Sequence, residues 1–429
     1  MRQDLRTDLD IVQLPATLAF PSRNVIQTDP DFKTQIVRLT DTSIAANRSL
    51  QTADSAQQCI WNLDDTMILV RATNTKTYLF QFDPIKLQGT AIPFACTKDV
   101  SFSKVKPFIL YELIGTVIYQ INFTRVNNVW TYQGKAQVCD FSCVLPKGFK
   151  PTWNSVFVGS HFDNTFSVAF SDQAQGTAIY ACVYQRGKGS KGYRVLNTNT
   201  GIVSSDKAAY PIVLTSTNTK LPFTMHECYQ TENDNYVILS ALKGGDTSLV
   251  WDIANNTLID DQLTGHKAHG YLYAYGGGPG GGQLAESAYS NPTSHSNVVL
   301  PGNVPRAKGQ KYTGDRHFQF GKVDLGDKSV IWSSGSGTIS PDQPFVSAWQ
   351  NEVTGYDVQK GIVYRACHTF NTGKSKEFVT ANAIAVPSQT GNFVAFTSDM
   401  MGTLGSTSGA AVGTPGVDAR GDVFIAKVG

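Results

Sequence analysis

Imidazoles are the side chains of this sequence best suited to moving protons or holding metals near neutral pH. They are unevenly placed. His161, His226, His266, His269, His295, His317 and His368 make up the whole set, and six of them lie beyond residue 220. His266 and His269 stand three apart in GHKAHG, so from a loop both could reach one divalent ion. The YLYAY that follows is strand-like, and the segment lacks the H-E-x-x-H pattern of a zinc-binding helix. Carboxylates and an amide accompany the imidazoles: Glu227 follows His226, and Gln350 and Glu352 precede His368. Such sets bind divalent metals or serve as acid and base. Taken singly, each histidine is better explained as a residue hydrogen-bonded to a neighbouring strand or loop. The functional expectation concerns two or more of them meeting on one face.

Residues this far apart in sequence meet only if an architecture gathers them. Helix signals are almost absent, with no sustained i, i+3, i+4, i+7 apolar pattern capped at both ends. Short alternating β-branched and aromatic runs recur instead, bounded by Asn, Asp, Gly and Ser turns. IWNLDDTMILV over 60–70 reads as strand, Asp-Asp turn, strand, and TYLFQFD over 77–83 adds a third strand. Similar units occur near 57–93, 98–140, 151–205, 223–262, 265–335 and 380–428. Units of roughly 40–60 residues with three or four strands are the signature of propeller blades.

The fold class is therefore all-β, a single β-propeller over 22–429 after an N-terminal extension, 1–21. Seven blades are expected, with six or eight as alternatives because 340–378 is hard to place; a pair of β-sandwiches is the competing architecture. The strand TQIVRLTD near the N-terminus should complete the last blade, pairing with the C-terminal strand so that no sheet edge stays open. GGGPGGG at 276–282 opens a polar stretch to about 315, expected as a long loop insertion.

The phrases IWNLDDTMILV and AVPSQTGNFVAFTSDM resemble the repeat of TolB-type propellers, with Asp65 and Thr390–Gly391 where an Asp-Gly turn belongs. GHKAHGYLYAY, SAWQNEV, VYRACHTF, FTSDMMGTLG and RGDVFIAKV, in that order, resemble a group of secreted bacterial propeller proteins. A fainter similarity is to oligogalacturonate lyase-like propellers. That similarity implies histidines and a glutamine around a divalent metal, and a separate base for β-elimination, although no His-x-His ligand pair aligns here. Elimination from a uronic sugar needs a base for the α-proton and a cation against the carboxylate. On that reading His226 and Tyr271 are the candidate bases, and Arg316 and Arg365 the candidate cations. Trp349 would stack on a sugar ring beside Gln350, Glu352 and His368 as ligand-binding residues, and His266 and His269 would hold the metal. Trp61, Trp153 and Trp251 occupy repeat positions that pack between sheets.

Composition narrows the alternatives. The chain has 429 residues, 41% apolar and 16% charged, with 36 Lys+Arg against 34 Asp+Glu, a net charge of +2. Soluble domains average about 25% charged residues, so the surface is built from Ser, Thr, Asn, Gln and Gly. That balance excludes nucleic-acid binding through bulk charge, and the apolar content excludes disorder. The stretch PFILYELIGTVIYQI (107–121) is interrupted by Glu112 and is shorter than a membrane span. No apolar signal core stands at the N-terminus; the composition still favours a secreted, periplasmic or cell-surface protein whose signal has been removed. Cys59, Cys96, Cys139, Cys143, Cys182, Cys228 and Cys367 include no C-x-x-C pair; Cys139 and Cys143 could close a small loop or face the core.

Other motifs are negative. GSTSG (405–409) has Thr407 where a nucleophile elbow needs Ser, and GGGPGGG lacks the Lys of a phosphate loop. RGKGSKGYR (186–194) reads as a solvated hairpin loop, and Arg420-Gly421-Asp422 as a turn before the last strand. Two function classes stand. One is an exported propeller that binds a polysaccharide or protein partner as an extracellular scaffold. The alternative is a polysaccharide or oligouronide lyase, with a divalent metal as its conceivable cofactor. Whether the chain is an enzyme is left open by its sequence.

Overall fold

A computed structural model describes residues 4–15, 21–53, 55, 57–72, 76–127, 129–145, 150–151, 158–171, 178–205, 209–214, 221–222, 224–241, 248–277, 284–298, 318–321, 325–334, 345, 348–372, 383–410, 412 and 418–429. The fold is an all-β, seven-bladed β-propeller; apart from two short 3-10 turns, the described residues contain no helix. By backbone contacts the chain divides into two compact units. One comprises Met1–Lys98, Val298–Lys322 and Lys328–Gly429, the other Asp99–Asn297 and Val323–Asp327.

The first unit holds three blades. Blade 1 is the antiparallel sheet Leu50–Gln51, Met67–Ala72, Lys76–Asp83 and Gln88–Cys96. Blade 6 consists of Phe318–Phe320, Ile331–Ser334, Glu352–Asp357 and Ile362–His368. Blade 7 orders Val386–Pro387, Phe393–Ser398 and Asp422–Lys427 beside Gln35–Arg38 and Ile26–Thr28. The N-terminal strand thus pairs with the C-terminal one, Val37 opposite Ile425, as the sequence pattern predicts. Polar groups fasten this closure. Asp422 accepts from Arg38 Nη2 (2.5 Å), Thr40 Oγ1 (3.0 Å) and Arg420 Nη2 (3.1 Å). Arg420 and Asp422 are buried, so the Arg-Gly-Asp triplet is an internal clamp with no side chain free for adhesion.

The second unit holds four blades. Blade 2 runs Val100–Phe102, Ile109–Ile114, Val117–Val126 and Val129–Asp140. Blades 3 and 4 form one twelve-stranded sheet, because Ala178 pairs with Met225 and Val213–Leu214 runs parallel to Thr257–Leu258. Blade 5 is Thr264–His269, Tyr273–Gly277, Leu284–Ala288 and Ser296–Asn297. Two expectations change here. The proposed repeat 265–335 splits into blade 5 and the start of blade 6, and the hard-to-place 340–378 completes blade 6. The loop expected from 276 carries strands as far as residue 297, and residues 299–315 lie outside the described part of the chain.

Local chemistry explains the repeat. In WNLDDTM the Asn62 side chain accepts from the Met67 N–H at 2.8 Å, and Asp65 takes a left-handed φ of 58°, closing the hairpin. Asp65 then accepts from Ser388 Oγ (2.9 Å), from Thr390 Oγ1 and from the Thr390 N–H in blade 7. Asp163, also left-handed, does the same for Ser103 Oγ and Tyr111 Oη. Asp327 takes the N–H groups of Tyr271, Leu272 and Tyr273. Gly270 is required beside it, since a Cβ there would fall on the Asp327 carboxylate. Within each unit, apolar side chains fill the space between neighbouring sheets. Trp61 packs on Phe82 and Phe393 at 5.6 and 6.1 Å; Phe141, Phe166, Phe170 and Tyr111 pack between blades 2 and 3. Burying one such aromatic stabilises by about 4–6 kcal/mol at most.

A buried charge cluster as candidate functional site

Blade 6 carries three of the sequence-predicted residues on its strands, with two more on the turn before its third strand, and the structure brings the three together. Glu352 opens the strand Glu352–Asp357, and Arg365 and His368 lie on its partner Ile362–His368, with Glu352 opposite His368 in register. A bulge between Val353 and Thr354 shifts that register. Arg365 is fully buried, yet every side-chain nitrogen is engaged. Nε and Nη2 donate to the two Glu352 oxygens at 2.9 and 2.7 Å, and Nη1 donates to Asp8 Oδ1 at 2.8 Å and to the Asp8 carbonyl at 3.2 Å. Such a two-toothed guanidinium–carboxylate pair fixes geometry as well as charge. The N-terminal extension reaches this site: Arg6 forms a backbone bridge to Arg365, and its side chain pairs with Asp8. The Arg6 pairing outweighs partial burial and holds the Asp8 carboxyl at about 2.

His368 lies three residues beyond Arg365, its side chain also fully buried. Its backbone N–H donates to Asp29 Oδ2 at 3.0 Å. Its Nδ1 stands 3.4 Å from the same oxygen and 3.9 Å from Asp31 Oδ2, but neither ring nitrogen makes a hydrogen bond. Phe32 meets the imidazole edge-on at 4.8 Å, and Phe370 flanks it at 5.3 Å. Burial would raise the Asp29 carboxyl; the nearby His368 and the N–H groups of Phe32 and His368 outweigh it and hold the group below the usual carboxylate range. Asp29, Asp31 and His368 are a set whose ligand atoms all lie within 4.8 Å of one another.

Trp349 and Gln350 sit on the turn that leads into the third strand of blade 6. Trp349 adopts φ 69° and is only 3% exposed, its ring edge-on to Tyr356 at 6.2 Å. Its indole face therefore belongs to the interior and is closed to a sugar, contrary to the stacking role expected for it. Arg365 likewise differs from expectation: Glu352 and Asp8 occupy the groups that would grip a substrate carboxylate.

In the second unit His269 is buried, its ring 5.1 Å from that of Tyr229. Tyr271 stands at the edge of Phe162, 6.2 Å between centroids. The side chains of His226 and His266, and all of Arg316, lie outside the described residues. A buried pair that sequence reasoning missed lies in the same unit. Lys104 Nζ donates to Glu232 Oε1 at 2.6 Å and to the Gly159 carbonyl at 3.0 Å. Burial raises the Glu232 carboxyl despite Lys104. The His161 imidazole is lowered by burial and by Lys104. None of the seven cysteines is in a disulfide; Cys139 is buried and Cys143 exposed, so no loop is closed between them.

No protein-family model matches the sequence, and no curated protein does. Solved structures match in fold. An oligogalacturonate lyase in complex with manganese is 11% identical, with 98% of each chain covered and a TM-score of 0.55. The oligogalacturonate lyase of Vibrio parahaemolyticus is 8% identical over 94% of this chain and 96% of its own, with a TM-score of 0.49. The WD40 repeats of RRP9 are 10% identical over 94% and 99%, with a TM-score of 0.43. At such identities the likeness is one of fold.

Proposed function

We propose that this chain is an exported, non-catalytic propeller that docks a protein partner as an extracellular or cell-surface scaffold. The observation that carries this reading is the outer edge of blade 2. Its strand Val129–Asp140 is twelve residues long and mostly exposed, and among the described strands it pairs on one side only. Where it turns, Val126 and Val129 face each other in register at 63% and 60% exposure. Phe108 and Tyr132 are also exposed, on the face that Trp130 and Phe123 share, Phe108 lying 5.1 Å from Trp130 and Tyr132 6.2 Å from Phe123. A long open edge flanked by exposed apolar side chains suits strand addition by another protein. Sugar binding gains less support: Trp61, Trp130, Trp251, Trp332 and Trp349, the described tryptophans, are all buried.

The lyase alternative draws on the fold shared with an oligogalacturonate lyase. Its candidate cation Arg365 is already saturated. Two measurements decide between the readings. A photo-cross-linker at Val129 or Tyr132, in protein produced by its native host, should yield one discrete adduct that is missing when the label sits at exposed Ile85. Incubation with acidic glycans should release no unsaturated uronate absorbance. Steady release of that product, or cross-linking indifferent to label position, overturns the scaffold reading.

A further inference from the structure

We propose that Asp29, Asp31 and His368 form a binding site for one divalent transition-metal ion. The ion would strap the N-terminal hairpin of blade 7 to the last strand of blade 6.

The argument begins with the turn Asp29-Pro30-Asp31-Phe32-Lys33. Asp29 Oδ1 accepts the N–H groups of Asp31 (2.9 Å) and Phe32 (3.0 Å), and left-handed Lys33 (φ 58°) returns its N–H to the Asp29 carbonyl at 2.9 Å. These bonds fix the Asp29 carboxylate over the turn. The His368 N–H donates to Asp29 Oδ2, and the same oxygen stands 3.4 Å from the imidazole Nδ1. Outer-shell donors of this kind orient ligating carboxylates.

Into that corner projects a fully buried imidazole with neither nitrogen hydrogen-bonded, a state native interiors avoid. Phe32 and Phe370 hold the ring in place. Ligands about 2.1 Å from a tetrahedral metal stand about 3.4 Å apart. The Nδ1 spacing to Asp29 Oδ2, 3.4 Å, matches that geometry, and the 3.9 Å to Asp31 Oδ2 closes to it with a small movement of the partly exposed Asp31 side chain. One imidazole and two carboxylates, with no thiolate, suit zinc, cobalt, manganese or ferrous iron. Asp31, 35% exposed, gives the ion a path in and room for water ligands. The nearby cations do not oppose it. Arg6 and Arg365 lie over the Phe32 ring at 5.7 and 5.3 Å, but their charges are paired with Asp8, Asp10 and Glu352.

Titration of the full chain with Co2+ should give one equivalent bound, with visible d–d bands and no sulfur-to-cobalt charge-transfer band. Zn2+ should displace the cobalt and raise Tm. Asp31→Asn, at a partly exposed position that leaves the core intact, should weaken binding about ten-fold or more, and Asp29→Asn should do the same. Absence of binding to the wild type, or unchanged affinity in both variants, overturns the proposal. So does a charge-transfer band lost in Cys143→Ser, which would assign the ion to the exposed thiol.

Discussion

Arg365 and His368 sit three residues apart on one strand, both without solvent exposure, and the protein treats them in opposite ways. Every nitrogen of Arg365 is matched to an oxygen of Glu352 or Asp8. No ring nitrogen of His368 is hydrogen-bonded, although two carboxylates face it. A saturated buried charge has spent its interactions on the fold; an unsatisfied one keeps them for something else. Burial and residue type, the properties by which a candidate site is usually chosen, do not separate the two. Counting partners does.

The contrast can be broken by mutation, starting with the largest effect. Glu352→Gln leaves the Arg365 guanidinium buried with half its partner neutralised, and should cost about 3–5 kcal/mol, read as the shift in urea midpoint at constant m. A loss below about 1 kcal/mol would mean that the pair contributes little to stability. His368→Leu, measured in chelator, takes the imidazole from beside the buried Asp29 carboxylate and should cost about 1–3 kcal/mol. A cost equal to that of Glu352→Gln would erase the distinction between the two positions. Asp8→Asn should have the smallest effect, about 0.2–1 kcal/mol, because its carboxylate is 40% exposed and screened. Its pH dependence has a definite sign. The folded Asp8 carboxyl titrates at about 2, below its ordinary value of 3.8. Its contribution is therefore present above pH 3.8 and lost as pH falls through about 2. The wild-type and Asp8→Asn stability curves should converge toward pH 2; a gap that widens with acid contradicts the pairing.

The blades were legible because their signal is local. WNLDDTM and the hairpin turns of the other units place a turn residue between alternating runs, and that pattern needs no knowledge of the rest of the chain. Asp65 illustrates the limit. Its turn position was readable, while its bonds to Ser388 and Thr390 span more than 320 residues. Blade 6 was hidden because its third strand is entered through a tight turn with Trp349 and Asn351 at positive φ, and neither Trp nor its context signals such a turn. The cluster follows the same rule. Glu352, Arg365 and His368 could be named from residue type, but their roles depend on Asp8 and Asp29, 357 and 339 residues away from their partners. The Asp-Pro-Asp of the N-terminal hairpin reads only as a turn.

The pairing of Gln35–Arg38 with Asp422–Lys427 has a consequence for how the chain is made. Arg38 reaches Asp422 across 384 residues, so at about 5–20 residues per second the first of these strands waits about 20–80 s for its neighbour to be synthesised. Through that interval blade 7 has an open seam, and the early strand offers its edge to any other chain that passes. A protein built this way gains from being held unfolded until its last residue has emerged. Its latch then closes in one place, at one time, with both ends present.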